Sequence, residues 1–328
     1  MEKIPADYGR KIRGSPLPAV LAFGGNALLP DASGPEVQES RAEAFARALK
    51  LLLPEEAGMA LVHGNGPQVG MILLRIEATR NRIPPETLDI LVAETQGSIG
   101  YLLCRALRGV IPNREVAAVL TQVVVDRDDP GFARPEKPIG PIYGSDEADI
   151  LKREHGWMMV EVQKHGWRRV VPSPRPERIV EMHTIADAVS HSHLVIAGGG
   201  GGIPVTGSGR LHGVEAVIDK DSTASLLAIA LCAGVLAILT DVPHVSTGFG
   251  TAEEKPIAIM DVRAARSLLD CGEFPPGSMG PKVEACTDYV SATGKRALIT
   301  DVDHLEAALD GRDGTWILPG QEGSIVHL

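Results

Sequence analysis

Residues 59–76 read MALVHGNGPQVGMILLRI, an apolar run followed by a glycine turn and a second apolar pattern. The run MALVH predicts a buried strand, and Pro67 suits the first turn of a helix because its ring presets a helical backbone angle. Apolar residues then recur at helical spacing, namely Val69, Ile72, Leu73 and Ile76. The stretch is therefore a strand, a glycine turn and a helix in succession.

The same order recurs along the chain. AVLAF (19–23) runs into GGN, and LVIA (194–197) runs into GGGGGIPV. Two further apolar runs end in acids, VLAILT (235–240) before Asp241 and ALIT (297–300) before Asp301. Strands that alternate with helices predict right-handed crossovers and a mainly parallel sheet covered on both faces. Ligands of such sheets bind beyond the carboxyl ends of the strands, where these turns and aspartates lie.

Composition narrows the class of protein. The chain has 328 residues and 44% hydrophobic content. Its net charge of −10 argues against a general binder of nucleic acid or of anionic membranes. The N-terminus MEKIPADYGRKIRGSPLP has no apolar signal core, so we expect a cytoplasmic protein. The four cysteines are far apart, a spacing typical of reduced and mostly buried thiols rather than of disulfides or zinc knuckles.

Two lysines lie where an ordinary helix would not place them. In EAVIDKDSTASLLAIAL (215–231), Lys220 stands between Asp219 and Asp221 just before an apolar helical pattern, and Lys282 follows glycines in GSMGPKV (277–283). A cation in the first turn opposes the helix dipole. One such lysine is most simply a solvated residue beside a capping aspartate. Two of them suggest a bound anion, which is what phosphoryl transfer requires.

The glycine turns also indicate phosphate, because bare backbone N–H groups and helix N-termini bind anions. Neither standard nucleotide signature is present, since GxxxxGK[ST] is absent and GNGPQVG and GSGRLHG miss the GxGxxG spacing. The run AGGGGGIPV (197–205) is either a flexible linker or a tight loop against a ligand. Its position between two strand-like runs favours the loop.

Nine stretches, taken in order, resemble the carbamate kinases of the amino acid kinase superfamily. They are AFGGNALL (22–29), VHGNGPQVG (62–70), AETQGSIGYLL (93–103), LTQVVVDRDDPGFARPEKPIGPIY (120–143), RRVVPSPRPERIVE (168–181), VIAGGGGGIPV (195–205), GVEAVIDKDSTASLLA (213–228), ILTDV (238–242) and GSMGPKV (277–283). The resemblance implies a three-layer αβα sandwich around a mainly parallel sheet. It also implies a cytoplasmic homodimer that uses ATP or ADP with Mg²⁺ and interconverts carbamate and carbamoyl phosphate.

The resemblance also implies how the chain is divided into domains and which residues form the site. Residues 1–17 would be an extension, 18–212 an N-terminal lobe for carbamate with a protruding lid at about 127–172, and 213–328 a nucleotide-binding lobe. The implied catalytic residues are Lys137, Lys220, Asp221 and Lys282. Those around the small substrate would be Gly24, Gly25, Asn26, Gly64, Asn65 and Gly66. Those on the nucleotide side would be Gly199, Gly200, Gly201, Asp219, Asp241, Met279 and Gly280. No protein side chain would bind the metal, which the nucleotide would carry.

Two segments depart from the family pattern. Residues 161–167 read EVQKHGW where an EDAGRG-like run is typical, and residues 243–257 read PHVSTGFGTAEEKPI where a shorter loop is usual. The first change bears on the lid and the second on the adenine pocket. Two alternatives therefore stay open: phosphoryl transfer to another small carboxylate or phosphonate, and a weakly catalytic, nucleotide-binding regulatory protein.

Overall fold

A large, mostly parallel sheet forms the centre of the molecule. The computed structural model describes residues 17–24, 35–50, 57–163, 166–275, 277–320 and 322–328. The strands are β1 (Ala19–Phe23), β2 (Met59–His63), β3 (Val116–Ala118), β4 (Gln122–Val125), β5 (Lys137–Tyr143), β6 (Met159–Gln163), β7 (Gly166–Val171), β8 (Pro176–Ile179), β9 (Leu194–Ile196), β10 (Ile203–Thr206), β11 (His212–Gly213), β12 (Val235–Leu239), β13 (Val245–Thr247), β14 (Lys255–Asp261), β15 (Arg296–Thr300), β16 (Thr315–Leu318) and β17 (Ile325–His327). The helices are α1 (Pro35–Lys50), α2 (Gly66–Thr79), α3 (Leu88–Val110), α4 (Pro130–Ala133), α5 (Ser145–His155), α6 (Met182–Ser190), α7 (Lys220–Ala230), α8 (Val262–Asp270), α9 (Met279–Thr293) and α10 (Leu305–Leu309).

The order of strands in this sheet is β13-β14-β16-β15-β12-β1-β2-β9-β3, with β17 paired to β14. The six strands from β15 to β3 run parallel to one another, and antiparallel pairs occur only towards the β13 end of the described sheet. The predicted α/β class with a mainly parallel sheet is confirmed. The predicted bounds of β1 and β2 match those observed.

Both faces of the sheet are buried, as its parallel strands require. Along β1, Val20 and Ala22 enter a core that contains side chains of α7 and α9. The alternate residues Leu21 and Phe23 enter a second core that contains side chains of α1 and α3. Helices therefore cover the sheet on both sides, which confirms the three-layer arrangement.

The predicted excursion near 127–172 contains a small sheet of its own. Strands β5, β7 and β6 form an antiparallel sheet in that order, which together with α5 we name the lid subdomain. Strands β11, β10, β4 and β8 form a third sheet. The main sheet pairs β1 with β12, so it continues across the predicted boundary at 212/213. The division into two lobes stays a prediction.

The prediction of mostly buried cysteines is wrong. All four thiols are free, and of these Cys286 is buried, Cys104 is half-buried, and Cys232 and Cys271 are exposed. Both exposed residues directly follow helix ends, where the chain turns at the surface and no core covers them. Among the described residues, no helix is long and apolar enough to cross a membrane.

A contact between two glycines positions the lid subdomain. Helix α2 packs on β5, and a Cβ built at Gly70 would lie 2.7 Å from the Cα of Gly140. Gly140 itself has a φ of 75°, which favours glycine. Since β5 begins at Lys137, this close approach fixes the strand that carries a predicted catalytic lysine.

We expect Gly70→Ala to lower the free energy of unfolding by about 1–3 kcal/mol, because the added methyl group must push β5 off α2. Gly109→Ala is the matched control: Gly109 lies in α3, and no described atom is within 4 Å of a Cβ built there. Alanine forms helices better than glycine does, so at this exposed position it should raise the free energy of unfolding by up to about 1 kcal/mol. Urea unfolding measures both. A Gly70→Ala protein as stable as the wild type would contradict the account of the contact.

Candidate active site

The carboxyl ends of the central strands bring the predicted turns together. The parallel registers align Phe23, His63 and Leu239, so the residues that follow β1, β2 and β12 share one edge of the sheet. Gly24, the turn Gly64–Gly66 and Asp241 lie at this edge. Gly25 and Asn26 fall outside the described residues, and their assignment stays a prediction.

The run of five glycines is a packed turn rather than a linker. Gly199, Gly200 and Gly201 are buried in a short 3-10 turn. A Cβ at Gly199 would lie 2.3 Å from His63 Nε2, and one at Gly200 would lie 2.1 Å from Asn65 Nδ2. The loop is therefore glycine-rich because neighbouring side chains occupy that space. The predicted tight loop is confirmed, whereas its contact with nucleotide stays a prediction.

Three polar residues that the sequence analysis did not assign hold these turns together. Asn65 Nδ2 donates to Thr95 Oγ1 at 2.8 Å, and Gln96 Nε2 donates to the Gly199 carbonyl at 2.9 Å. The Thr121 backbone N–H donates to Gln96 Oε1 at 2.8 Å. These bonds fix the turn after β2 against the glycine loop after β9. The only signal in sequence was that Thr95 and Gln96 interrupt an otherwise apolar helix face.

The start of α2 is open, unlike the packed glycine loop. No described atom lies within 4 Å of a Cβ built at Gly24 or at Gly66. Pro67 has no N–H, and the Asn65 side chain does not cap α2, so within the described ranges the backbone N–H groups of Gly66 and Gln68 keep their capacity to donate. Open space beside free N–H donors is what a small anion requires.

The predicted lysines converge on two neighbouring carboxylates. Asp219 caps α7 by accepting from the backbone N–H groups of Asp221 at 2.9 Å and Ser222 at 3.3 Å. The same carboxylate forms an ion pair with Lys137 at the start of β5. This pairing was not predicted, and it joins the lid subdomain to the N-terminus of α7.

The second carboxylate, Asp221, is only 2% exposed and lies between two lysines. Lys220 forms an ion pair with one of its oxygens, and Lys282 Nζ lies 3.4 Å from the other. Lys282 also donates to the Ser278 carbonyl at 3.1 Å. The four residues predicted as catalytic, together with Asp219, thus form one cluster.

This lysine cluster carries an excess of positive charge. Three ammonium groups face two carboxylates. Burial alone would raise the pKa of Asp219, but Lys137 and Lys220 outweigh it and hold that pKa well below its ordinary range. Asp219 is therefore ionised at neutral pH, and the remaining positive charge can attract a phosphoryl group.

The remaining predicted residues lie at the ends of a helix and of a strand. Met279 and Gly280 begin α9, the helix that carries Lys282. Asp241 is exposed beyond the end of β12, and in the described parts of the chain no hydrogen bond or ion pair joins it to the lysines. No group of three or more His, Cys, Asp or Glu side chains in the described ranges could hold a metal ion.

Comparison with known proteins identifies relatives over most of the chain. Residues 18–301 match the profile of the amino acid kinase family. A carbamate kinase from Thermococcus kodakarensis is 41% identical over 312 residues, covering 91% of this chain and 98% of that protein. A carbamate kinase-like protein from Escherichia coli K12 is 40% identical over 309 residues, covering 91% of this chain and 98% of its own length.

A solved structure of similar fold is the carbamate kinase from Giardia lamblia bound to AMP-PNP. It has a TM-score of 0.84 at 36% identity and covers 93% of this chain and 99% of its own. The chain is therefore similar to these relatives in sequence, and to the solved structure also in fold, over nearly its whole length.

His63 lies beneath the glycine loop and is neutral. Its Nδ1–H donates to the Gly64 carbonyl at 3.0 Å, and burial lowers the pKa of His63 from 6.5 to about 4. As pH falls from 6.5 towards 4, an unfolded chain therefore takes up a proton that the folded protein rejects. The contribution of His63 to stability is complete above the pKa of the unfolded chain, and it is lost as the pH falls from 6.5 towards 4.

We expect the wild type to lose about 2 kcal/mol through His63 between about pH 7.5 and about pH 5. His63→Gln cannot take up this proton and loses less over the same range. His212→Gln, at an exposed position, is the control and should follow the wild type. Urea unfolding at the two pH values measures the difference. Equal losses in wild type and His63→Gln would show that His63 does not carry this pH dependence.

Proposed function

The chain belongs to the amino acid kinase family, and on that premise we propose that it is a carbamate kinase. Its reaction would be the reversible conversion of ATP and carbamate to ADP and carbamoyl phosphate. The relatives named as carbamate kinases support this reading. The observation that carries it is the convergence of Lys137, Lys220 and Lys282 from three separate segments.

In this proposal the protein stabilises charge and does little covalent work. A carbamate oxygen attacks the terminal phosphorus of ATP, and the bond to the bridging oxygen breaks with its electron pair going to ADP. Negative charge gathers on the phosphoryl oxygens, where the three ammonium groups offset it. No general base is needed because carbamate is already an anion. Asp221 holds Lys220 and Lys282 in place, and Asp219 holds Lys137.

The small substrate would lie at the open start of α2. Gly24, Gly25 and Asn26 after β1, with Gly64, Asn65 and Gly66 after β2, would contact carbamate and the phosphoryl oxygens. The open space at Gly24 and Gly66 supports this placement. The nucleotide would lie beside α7 and α9, the helices that carry Lys220 and Lys282. Residues proposed there are Gly199, Gly200, Gly201, Asp219, Asp241, Met279 and Gly280.

Mg²⁺ would accompany the nucleotide. Asp219 and Asp221 are already paired with lysines, so neither carboxylate is free to serve as a dedicated metal ligand. When bound, the ion would supply positive charge that offsets the charge of the nucleotide phosphates. The nucleotide phosphates are therefore its expected ligands.

Two observations favour considering a second acceptor. The lid segment 161–167 keeps Glu161 but lacks the aspartate and the arginine of the EDAGRG-like run typical of carbamate kinases, and one relative is described only as carbamate kinase-like. A different small carboxylate or a phosphonate would use the same lysines and the same transfer step. ADP release measured with a panel of such acceptors separates the two readings. Tight nucleotide binding without turnover in either direction would favour a regulatory role.

We expect the purified protein to form ATP from carbamoyl phosphate and MgADP. Lys282→Ala removes one charge from the cluster, and the rate should fall roughly a hundred- to thousand-fold, as when an oxyanion donor is lost. Lys295→Ala is the control, because Lys295 is exposed just beyond the end of α9. A luminescent ATP assay measures all three proteins. A loss under about tenfold in Lys282→Ala would contradict the role of that lysine.

We further propose that the protein is a cytoplasmic homodimer. Ile90 and Tyr101 on α3, and Leu120 just before β4, are large apolar side chains exposed by 45%, 61% and 57%. A second copy of the chain would cover such exposed apolar side chains. Sedimentation velocity should show twice the 34.7 kDa chain mass, and Tyr101→Glu should shift the species towards monomer. A wild-type monomer at micromolar concentration would contradict the proposal.

A further inference from the structure

A polar contact joins the lid subdomain to the last turn of α2. His155 is the last residue of α5, and Glu77 lies near the end of α2. His155 Nε2 lies 3.3 Å from Glu77 Oε2, and both side chains are only 19% exposed. Water screens a carboxylate less at such low exposure than at the open surface. The contact is therefore suited to hold the two elements together.

Arg80 completes this contact. Its Nη1 donates to Glu77 Oε1 at 2.9 Å and to Oε2 at 3.0 Å, and it also lies 3.2 Å from His155 Nδ1. A guanidinium group can only donate, so Nδ1 is the acceptor and Nε2 carries the ring proton that faces Glu77. Each of the three side chains thus meets a complementary group. We name Glu77, Arg80 and His155 the lid latch.

The core of the lid subdomain connects the latch to Lys137. Tyr143 of β5, Ala148 of α5 and Trp157 form this buried core. The His155 ring lies 5.8 Å from the Trp157 ring, which meets the Tyr143 ring edge-on at 6.2 Å. Closely packed side chains transmit displacement to one another. A displacement at His155 is therefore passed to β5, the strand that begins at Lys137.

Two contacts along α2 fix the orientation of the lid subdomain. The first is the close approach of Gly70 and Gly140, and the second is the latch at Glu77. Positions 70 and 77 are about 10 Å apart along the helix. Lys137 and Gly140 are likewise about 10 Å apart along β5. Without the latch the lid could turn about the glycine contact, and a shift at His155 would allow a shift of similar size at Lys137.

We propose that Glu77 and His155 position Lys137 for phosphoryl transfer, an inference that rests on the proposed function. Neither side chain would touch the reacting atoms, so both are positioning residues. The Lys137 ammonium group would offset charge on the phosphoryl oxygens, and that effect depends on its distance from them. Loss of the latch should therefore lower kcat more than it changes the KM for ADP, because the proposed nucleotide residues lie outside the lid.

The test uses His155→Phe, which keeps a ring beside Trp157 but removes both nitrogens. Arg80 still pairs with Glu77 in this variant, so no charge is left alone. With carbamoyl phosphate and MgADP, kcat for ATP synthesis should fall roughly ten- to a hundredfold, because a small misplacement weakens charge stabilisation. His155→Gln keeps a donor that can reach Glu77, and it should recover most of that loss.

His191→Phe is the matched control. His191 lies just beyond the end of α6, and its side chain is 67% exposed. The same substitution at this surface position should leave kcat at the wild-type value.

A double-mutant cycle separates positioning from a general loss of stability. Lys137→Ala removes the charge that the latch would position, so adding His155→Phe to it should change kcat by no more than about twofold. If His155→Phe lowers kcat by the same factor with and without Lys137, the latch acts on the fold as a whole and the proposal is wrong.

Amide hydrogen exchange of the ligand-free protein examines the latch apart from catalysis. His155→Phe should speed exchange in β5 and α5, whereas His155→Gln should not. An unchanged kcat in His155→Phe would overturn the proposal, whether or not exchange becomes faster. If the folded wild type makes no ATP from carbamoyl phosphate, the proposed function falls and the role of the latch in transfer falls with it, even where exchange responds as expected.

Discussion

The candidate site depends on a buried carboxylate held between two cations. Asp221 is 2% exposed, and a charge so deeply buried is tolerated only when it is paired. Lys220 comes from the same helix turn, whereas Lys282 comes from α9, so the pairing also fixes one helix relative to the other. Removing the carboxylate would leave two cations close together without the negative charge that they share.

The parallel sheet explains why these groups meet. Strands β1, β2 and β12 end at one edge, and helix α2, which follows β2 after a short glycine turn, begins there. The contact between Gly70 and Gly140 then holds β5 on α2, which brings Lys137 to Asp219 from the lid subdomain. The backbone donors at the start of α2 and the ammonium groups of the lysine cluster are both suited to bind an anion.

The local parts of this arrangement could be predicted from sequence, and the long-range parts could not. The bounds of β1 and β2 follow from short apolar runs that stop at glycine, and Lys220 is conspicuous because it opposes a helix dipole. The pairing of Lys137 with Asp219 joins residues 82 positions apart, and no spacing rule reaches that far.

The most direct test of the central claim is a crystal structure with MgADP and tetrafluoroaluminate, a mimic of the phosphoryl group in transfer. We expect Nζ of Lys137, Lys220 and Lys282 all to lie at hydrogen-bond distance from the mimic, about 2.7–3.2 Å. Asp221 would still hold Lys220 and Lys282. A mimic bound away from the cluster, with all three lysines still paired to Asp219 and Asp221, would contradict the account.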